Sequence, residues 1–344
     1  MNKILKGLGL AVLLIGLVRL LSFYTTDKTH PTDPSYLDQF NEDYAIYALP
    51  LPEDLNFMGE AVPFKDPEIF ERYDREILVN TYWQSQTVLF IKRSARWFPV
   101  IEPILKKHGI PTDFKYLPLI ESGFMNVVSP AGAVGFWQIM ESTGKGYGLE
   151  INKEVDERYH VVKATEAACI YLKEAYKELG SWTLAAASYN MGVTGVKKQL
   201  ERQRAKSYYD LTLNEETGRY VFRIMAVKEI LENQEKYGFK IREKDKYKPI
   251  PTLTVSVDTP VTQFGDFAQQ LGVNYRILKY HNPWLRYEYL PNKTGKTYQI
   301  KIPKEGFYAL VDESALNPTD TILEKTPPAI SDTTNIEEED VNEG

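Results

Sequence analysis

The sequence predicts a mainly α protein, a helical domain followed by a small strand-helix-helix-strand module. Three observations carry that prediction. Ala164, Ala167, Ala168, Tyr171, Leu172, Ala175 and Leu179 recur at helical spacing, and Gly180 stands where a helix C-cap belongs. Leu253, Val255 and Val257 alternate with polar residues, as do Tyr298, Ile300 and Ile302, which is the period of a strand. Between the two regions, Lys244 to Pro251 is charged and Pro-bearing, as an interdomain link is.

Taken in order, the chain begins with Lys3 and Lys6 ahead of an apolar run from Leu8 to Val18. A positive flank before a short apolar core reads as an export segment. The run is shorter than the ~18 residues of a full span, and neither a small-residue cleavage site nor a lipid-accepting Cys follows it, so 1–24 is expected as a signal peptide or a retained membrane anchor. Residues 25–66 are rich in Pro, Asp and Tyr without periodicity and read as an irregular spacer; helical character begins near Pro67, so the lead-in 25–84 is partly helical. Ser181 suits the N-cap of a helix over Trp182 to Tyr189, and a further helix starts near Asn214 and continues toward Gly238. Beyond the link, Phe264 to Leu271 is helical and closed by Gly272, and Tyr275 to Tyr280 is a second short helix.

The net charge is −6, but residues 310–344 hold ten Asp or Glu against one Lys, a local −9, leaving +3 on the rest. That tail is expected to be disordered. A balance of +3 is far from the footprint of a nucleic-acid binder. Cys169 is the only cysteine, which rules out an intramolecular disulfide, and no Cys/His spacing suits zinc or an iron–sulfur cluster; no metal and no other cofactor is expected. Nothing in the sequence speaks to oligomeric state.

Chemistry concentrates at Glu121. Tyr116, Leu117, Leu119 and Ile120 make the segment before it apolar, and Ser122-Gly123 can end the helix, so Glu121 is expected at the negative end of a helix dipole among apolar side chains. Both influences oppose ionisation, which is what a general acid for a glycosidic oxygen requires.

The surrounding motifs run Glu121-Ser-Gly-Phe124, Ser129-Pro-Ala-Gly-Ala-Val-Gly-Phe-Trp-Gln138, Ser142-Thr-Gly144, Tyr147-Gly-Leu149, Ser188-Tyr-Asn-Met-Gly192 and Glu216-Thr-Gly-Arg-Tyr220. Together they resemble the lytic transglycosylase domain with its goose-lysozyme-like fold, and within that family the membrane-bound lytic murein transglycosylase D type. The resemblance implies Glu121 as the catalytic acid/base and Ser129 as the serine lining the site. It implies Gln138, Tyr189 and Asn190 as sugar contacts and Tyr220 as the tyrosine reaching the catalytic carboxyl. Glu216, one helical turn before Tyr220, shares its face. Ser188 stands where the family usually has Ala, Phe136-Trp137 where it has Leu-Met, and the segment from Glu121 to Ser129 is one residue shorter than in many relatives. Leu253 to Pro303 is similar to a divergent LysM module, a glycan binder, with Asp258, Thr259 and the residues near Tyr280 to Pro283 as groove candidates.

The expected organisation is therefore a lysozyme-like catalytic domain over 85–243, a LysM-like module over 250–305 and the acidic tail. The expected partner is peptidoglycan in the periplasm or cell envelope, with the membrane as a second partner if 1–24 is retained. Two-carboxylate glycosidases hold their acids about 5.5 Å or ~6.5 to 9.5 Å apart. The motifs here supply one, which points to Glu121 protonating the leaving oxygen while the substrate N-acetyl group stabilises the cation. Glu121 would then deprotonate the sugar's own C6 hydroxyl, giving a 1,6-anhydro-N-acetylmuramic acid end. The rival readings are a goose-type lysozyme using Glu150, Glu154 or Asp156 as a second carboxylate, and a non-catalytic peptidoglycan tether.

Overall fold

The computed structural model describes residues 46–52 and 54–308. The expected export segment, the lead-in before residue 46 and the acidic tail lie outside them. No helix among the described residues is long and apolar enough to cross a membrane. The described residues up to Lys304 belong to one compact unit; Glu305 opens a second, described as far as Tyr308.

The lead-in is not wholly irregular. Strands β1 (Asn56–Phe57) and β2 (Glu60–Ala61) pair antiparallel around Met58-Gly59. Two-residue strands leave no periodic trace in a sequence. Helices α1 (Pro67–Tyr82) and α2 (Gln84–His108) follow; Asp66 caps the first by accepting from the Glu68 and Ile69 N–H groups, and Gly109 ends the second at φ 70°. A 3-10 turn over Thr112–Tyr116 leads into α3 (Leu117–Ser122). Then come α4 (Glu141–Gly146), α5 (Val161–Leu179), α6 (Trp182–Met191), α7 (Val193–Gln203) and α8 (Glu215–Glu232). The helix expected to run on to Gly238 breaks at Asn233 and resumes as a 3-10 turn over Gln234–Tyr237.

α8 carries eleven buried residues, among them Val221, Phe222, Ile224 and Met225, and packs against α1, α3 and α6. The run Ala185-Ala186-Ala187 is buried in α6, where small side chains let α5 and α8 approach. Gly180 (φ 70°) and Ser181, whose Oγ accepts from the Leu184 N–H, separate α5 from α6 as their residue types require.

The β1–β2 hairpin also contributes at this junction. Glu60 accepts from Ser181 Oγ (2.7 Å), the Trp182 N–H (2.5 Å), and the N–H and Oγ1 of Thr183 (3.2 and 2.5 Å), so a carboxylate sits on the positive end of α6. Glu60→Ala is expected to lower the unfolding free energy by about 2 kcal/mol, read from the denaturant midpoint at unchanged slope.

The second module has the expected order: β3 (Thr252–Val257), α9 (Phe264–Gln270), α10 (Tyr275–His281) and β4 (Tyr298–Pro303), with β3 and β4 antiparallel in the register Val255↔Ile300. Its core of Phe264, Ala268, Leu278, Leu285 and Ile300 is continuous with Val134, Val155 and Tyr159 of the helical domain. Backbone pairing crosses the junction, with the Asp156 N–H donating to Trp284 O (2.9 Å) and the Arg286 N–H to Glu154 O (2.7 Å). The link is pinned as well, since the Tyr247 N–H donates to Lys92 O (3.0 Å) and Arg96 Nε to Lys248 O (3.1 Å).

Candidate active site

Glu121 is the penultimate residue of α3 and is half-buried; Gly123, at φ 59°, turns the chain away immediately after it. The Tyr220 hydroxyl, on buried α8, donates to Glu121 Oε1. Arg223, one turn further along α8, donates to Ile120 O (3.3 Å), and Arg93 of α2 donates to Gly123 O (3.0 Å). The end of α3 is thereby held from both sides.

Burial pushes the Glu121 carboxyl above the ordinary carboxylate range; the Tyr220 hydrogen bond and the Arg223 charge pull it back, and Glu216 adds to the rise. Desolvation is thus the leading reason for its reluctance to ionise. Burial and the facing Glu121 hold the Tyr220 hydroxyl well above the usual tyrosine range, so it stays a donor. Tyr220→Phe deletes an influence that lowers the Glu121 pKa. Its titration midpoint, followed by carbon NMR of labelled glutamate, is expected to move to higher pH.

The remaining residues group in two sets. Asn190, at the end of α6, donates to Glu216 Oε1 (2.9 Å) and accepts from Thr217 Oγ1 (2.6 Å), joining α6 to the exposed start of α8. The other set lies on the irregular hairpin between α3 and α4, where Val134 bridges both Val128 and Ile139. Ser129 closes its turn, with Oγ accepting from the Ala133 N–H (3.0 Å). Gln138, at φ 48°, donates through Nε2 to Gly135 O (2.7 Å) and Val127 O (3.2 Å), so what it can offer a ligand is its Oε1. Tyr189 ties the sets together by donating to Trp137 O (2.8 Å). Gly135 (φ 77°) is required where the hairpin meets the backbone, since a Cβ there would lie 2.3 Å from Arg158 O. Phe136 and Trp137 are buried, and Val128 and Met140 stand exposed on the rim.

The structure thus joins Glu121 to Tyr220, Asn190 to Glu216, and Tyr189 to the hairpin of Ser129 and Gln138. Arg223 and Arg93 are additions to the expected set. Arg223 had a signal, since it follows Glu216 by seven residues and Tyr220 by three on one helical face. Arg93 had none, because its partner lies 30 residues away.

Two of the acids weighed as a second carboxylate, Asp156 and Glu150, are committed elsewhere. Asp156 is held by Arg158 through Nε (2.9 Å) and Nη2 (2.7 Å), both side chains being buried. Burial pushes the Glu150 carboxyl up, but hydrogen bonds from Lys296 and Tyr298 bring it below the usual range. Glu154 gives its backbone oxygen to the junction with the second module.

Residues 99–212 match the Transglycosylase SLT domain family, and residues 253–306 match the Soluble lytic transglycosylase C-terminal LysM-like domain. Glu216, Tyr220 and Arg223 lie beyond the first of these matches. The chain is 29% identical over 258 residues to the membrane-bound lytic murein transglycosylase D of Escherichia coli (strain K12), covering 72% of this chain and 55% of that protein. It is also 29% identical over 120 residues to a putative tributyltin chloride resistance protein of Alteromonas sp. (strain M-1), covering 33% of this chain and 58% of that one. Among solved structures, an inactive mutant of the lytic transglycosylase Slt from Pseudomonas aeruginosa aligns over 54% of this chain and 36% of that chain, at 18% identity and a TM-score of 0.36. The chain spans about half the length of its curated Escherichia coli relative. It carries a helical, lysozyme-like transglycosylase SLT domain followed by a small LysM-like domain.

Proposed function

We propose that the chain is a peptidoglycan lytic transglycosylase that cleaves the bond from N-acetylmuramic acid to N-acetylglucosamine without water, leaving 1,6-anhydro ends. One observation carries the reading: burial raises the pKa of Glu121, while the Tyr220 hydroxyl that donates to it and the Arg223 charge favour its ionised form. Burial and Glu216 favour the acid that protonates the leaving oxygen. Once that proton is given up, Tyr220 and Arg223 stabilise the carboxylate that must then take the C6 hydroxyl proton. The hydroxyl belongs to the same sugar, and its high effective concentration lets it outrun water.

Ser129, Gln138, Tyr189, Asn190 and Glu216 are assigned to substrate binding, and the LysM-like module to glycan contact. The supporting relative is named as membrane-bound, which favours work at the cell envelope, with residues 1–24 as export signal or anchor. A hydrolytic lysozyme reading needs a second carboxylate, and the bonds of Glu150 and Asp156 argue against them in that role. The test is to digest sacculi with the full chain and weigh the muropeptides. Anhydro ends are expected, lighter by one water than the hydrolytic product; hydrated ends would overturn the reading in favour of a lysozyme.

A further inference from the structure

The second module and the helical domain form a half-open cleft of about 540 Å³ beside α2. Its walls are α2, the segment Phe124–Asn126, the link at Tyr247, and α10 with Thr252 at the start of β3 and Lys301 of β4. Tyr280, His281 and Pro283, candidates for a glycan groove on the module, line this cleft, and Asn282 between them is buried, bonding Leu278 O and the Lys301 backbone.

The lining has one sign of charge. Arg93, Arg96 and Lys301 face the cleft, and none of its described lining residues is acidic. Burial first, then Lys163 and Lys301, lower the His160 pKa to about 4 against an opposing influence of Glu157, and burial, followed by Arg96 and Lys301, lowers that of His281. A guanidinium has five N–H donors. Arg93 commits one to Gly123 O, and Arg96 commits two to Lys248 O and Tyr280 Oη. Beside these cations stand the rings of Trp97, Tyr247 and Trp284.

We infer that this cleft is a second binding site, taking the carboxylate-bearing peptide branch of a peptidoglycan strand. The inference rests on the proposed substrate. In a peptide-substituted strand the lactyl carboxyl of the muramic acid is consumed in an amide bond, so the free carboxylates sit on the peptide, and a wholly basic cleft selects the peptide over the neutral sugars. Arginine forks pair with carboxylates in two-point contacts, and the aromatic rings cover the peptide's apolar parts. The site also abuts the catalytic helix, because Arg93 bonds Gly123 O and Phe124 and Phe136 form part of its wall.

The test uses the full chain carrying Glu121→Gln, which removes turnover. It is titrated with a disaccharide-tetrapeptide muropeptide and with the same disaccharide lacking peptide, by calorimetry and by the fluorescence of the cleft tryptophans. The peptide-bearing ligand is expected to bind the more tightly and to weaken as salt is raised. Arg96→Gln and Lys301→Gln should each weaken it roughly tenfold, with Lys301→Arg restoring it, while melting temperatures confirm the fold. Equal binding of the two ligands, or indifference to both substitutions, overturns the inference. If those dependences hold but wild-type protein forms no anhydro ends from sacculi, the cleft assignment stands and the proposed chemistry falls. If anhydro ends form and the substitutions change nothing, only the cleft assignment falls.

Discussion

Glu121→Gln is expected to abolish formation of anhydro ends from sacculi, lowering the rate by about 10³-fold or more, since positioned acid–base groups contribute 10² to 10⁴-fold and this one acts in both halves of the reaction. The isosteric amide keeps an oxygen for the Tyr220 hydroxyl to donate to, so the end of α3 keeps its place. Stability is expected to move in the opposite direction from activity. A carboxyl whose pKa is raised on folding costs stability once the pH exceeds its unfolded value, and the cost is complete above the folded one. At pH 8 the glutamine variant should therefore melt at or above the wild-type temperature, with the gap closing as the pH falls below the ordinary carboxylate range. An inactive variant that also melts lower would mean that Glu121 is a structural residue. Retained digestion would leave the chemistry with another group.

How much of this was visible beforehand follows the range of the interactions. Gly180, Ser181 and the strands flanking α9 and α10 could be read because caps and alternation are written within a few neighbouring residues. Glu121 and Tyr220 could be paired because each sits in a local motif, although they lie 99 residues apart. Glu60 could not be read as the cap of α6, because its partners are 121 to 123 residues away and its strand is two residues long. The junction at Tyr280 to Pro283 was hidden for a related reason. Sequence shows a module's own pattern but not which face its neighbour covers, and here backbone pairing at Trp284 and Arg286 turns those residues toward α2. Glu150 looked available as an acid because its partner Lys296, 146 residues away, becomes a neighbour only through the fold, whereas the Arg158 that holds Asp156 stands two residues on in the sequence.

Glu76 gives the second large effect, and it links stability to the site. Its side chain is fully buried in α1, where it accepts from Arg75 Nη1 (2.7 Å) and from Arg219 Nε (2.6 Å) and Nη2 (3.4 Å). Arg219 precedes Tyr220, and the same turn of α8 is latched by Arg72 and Tyr208, both donating to Gly218 O at 2.6 Å. Glu76→Ala leaves two guanidinium groups, themselves a third to a half exposed, facing a vacated buried position, a loss of about 2 kcal/mol once solvent screening is counted. For a domain of this size that corresponds to a fall of about 4 to 8 °C in Tm. Replacing Glu76 and Arg219 together by Met and Leu should recover much of the stability, because a packed apolar pair avoids the desolvation that the charges bear. Catalysis separates the two variants. In Glu76→Ala the first turn of α8 loosens and the Tyr220 contact with Glu121 weakens, so turnover should fall even below the melting range. In the double variant a restored Tm with restored turnover would show that the pair acts through the position of α8. A restored Tm with turnover still depressed would show that the charge of Arg219 itself bears on the site.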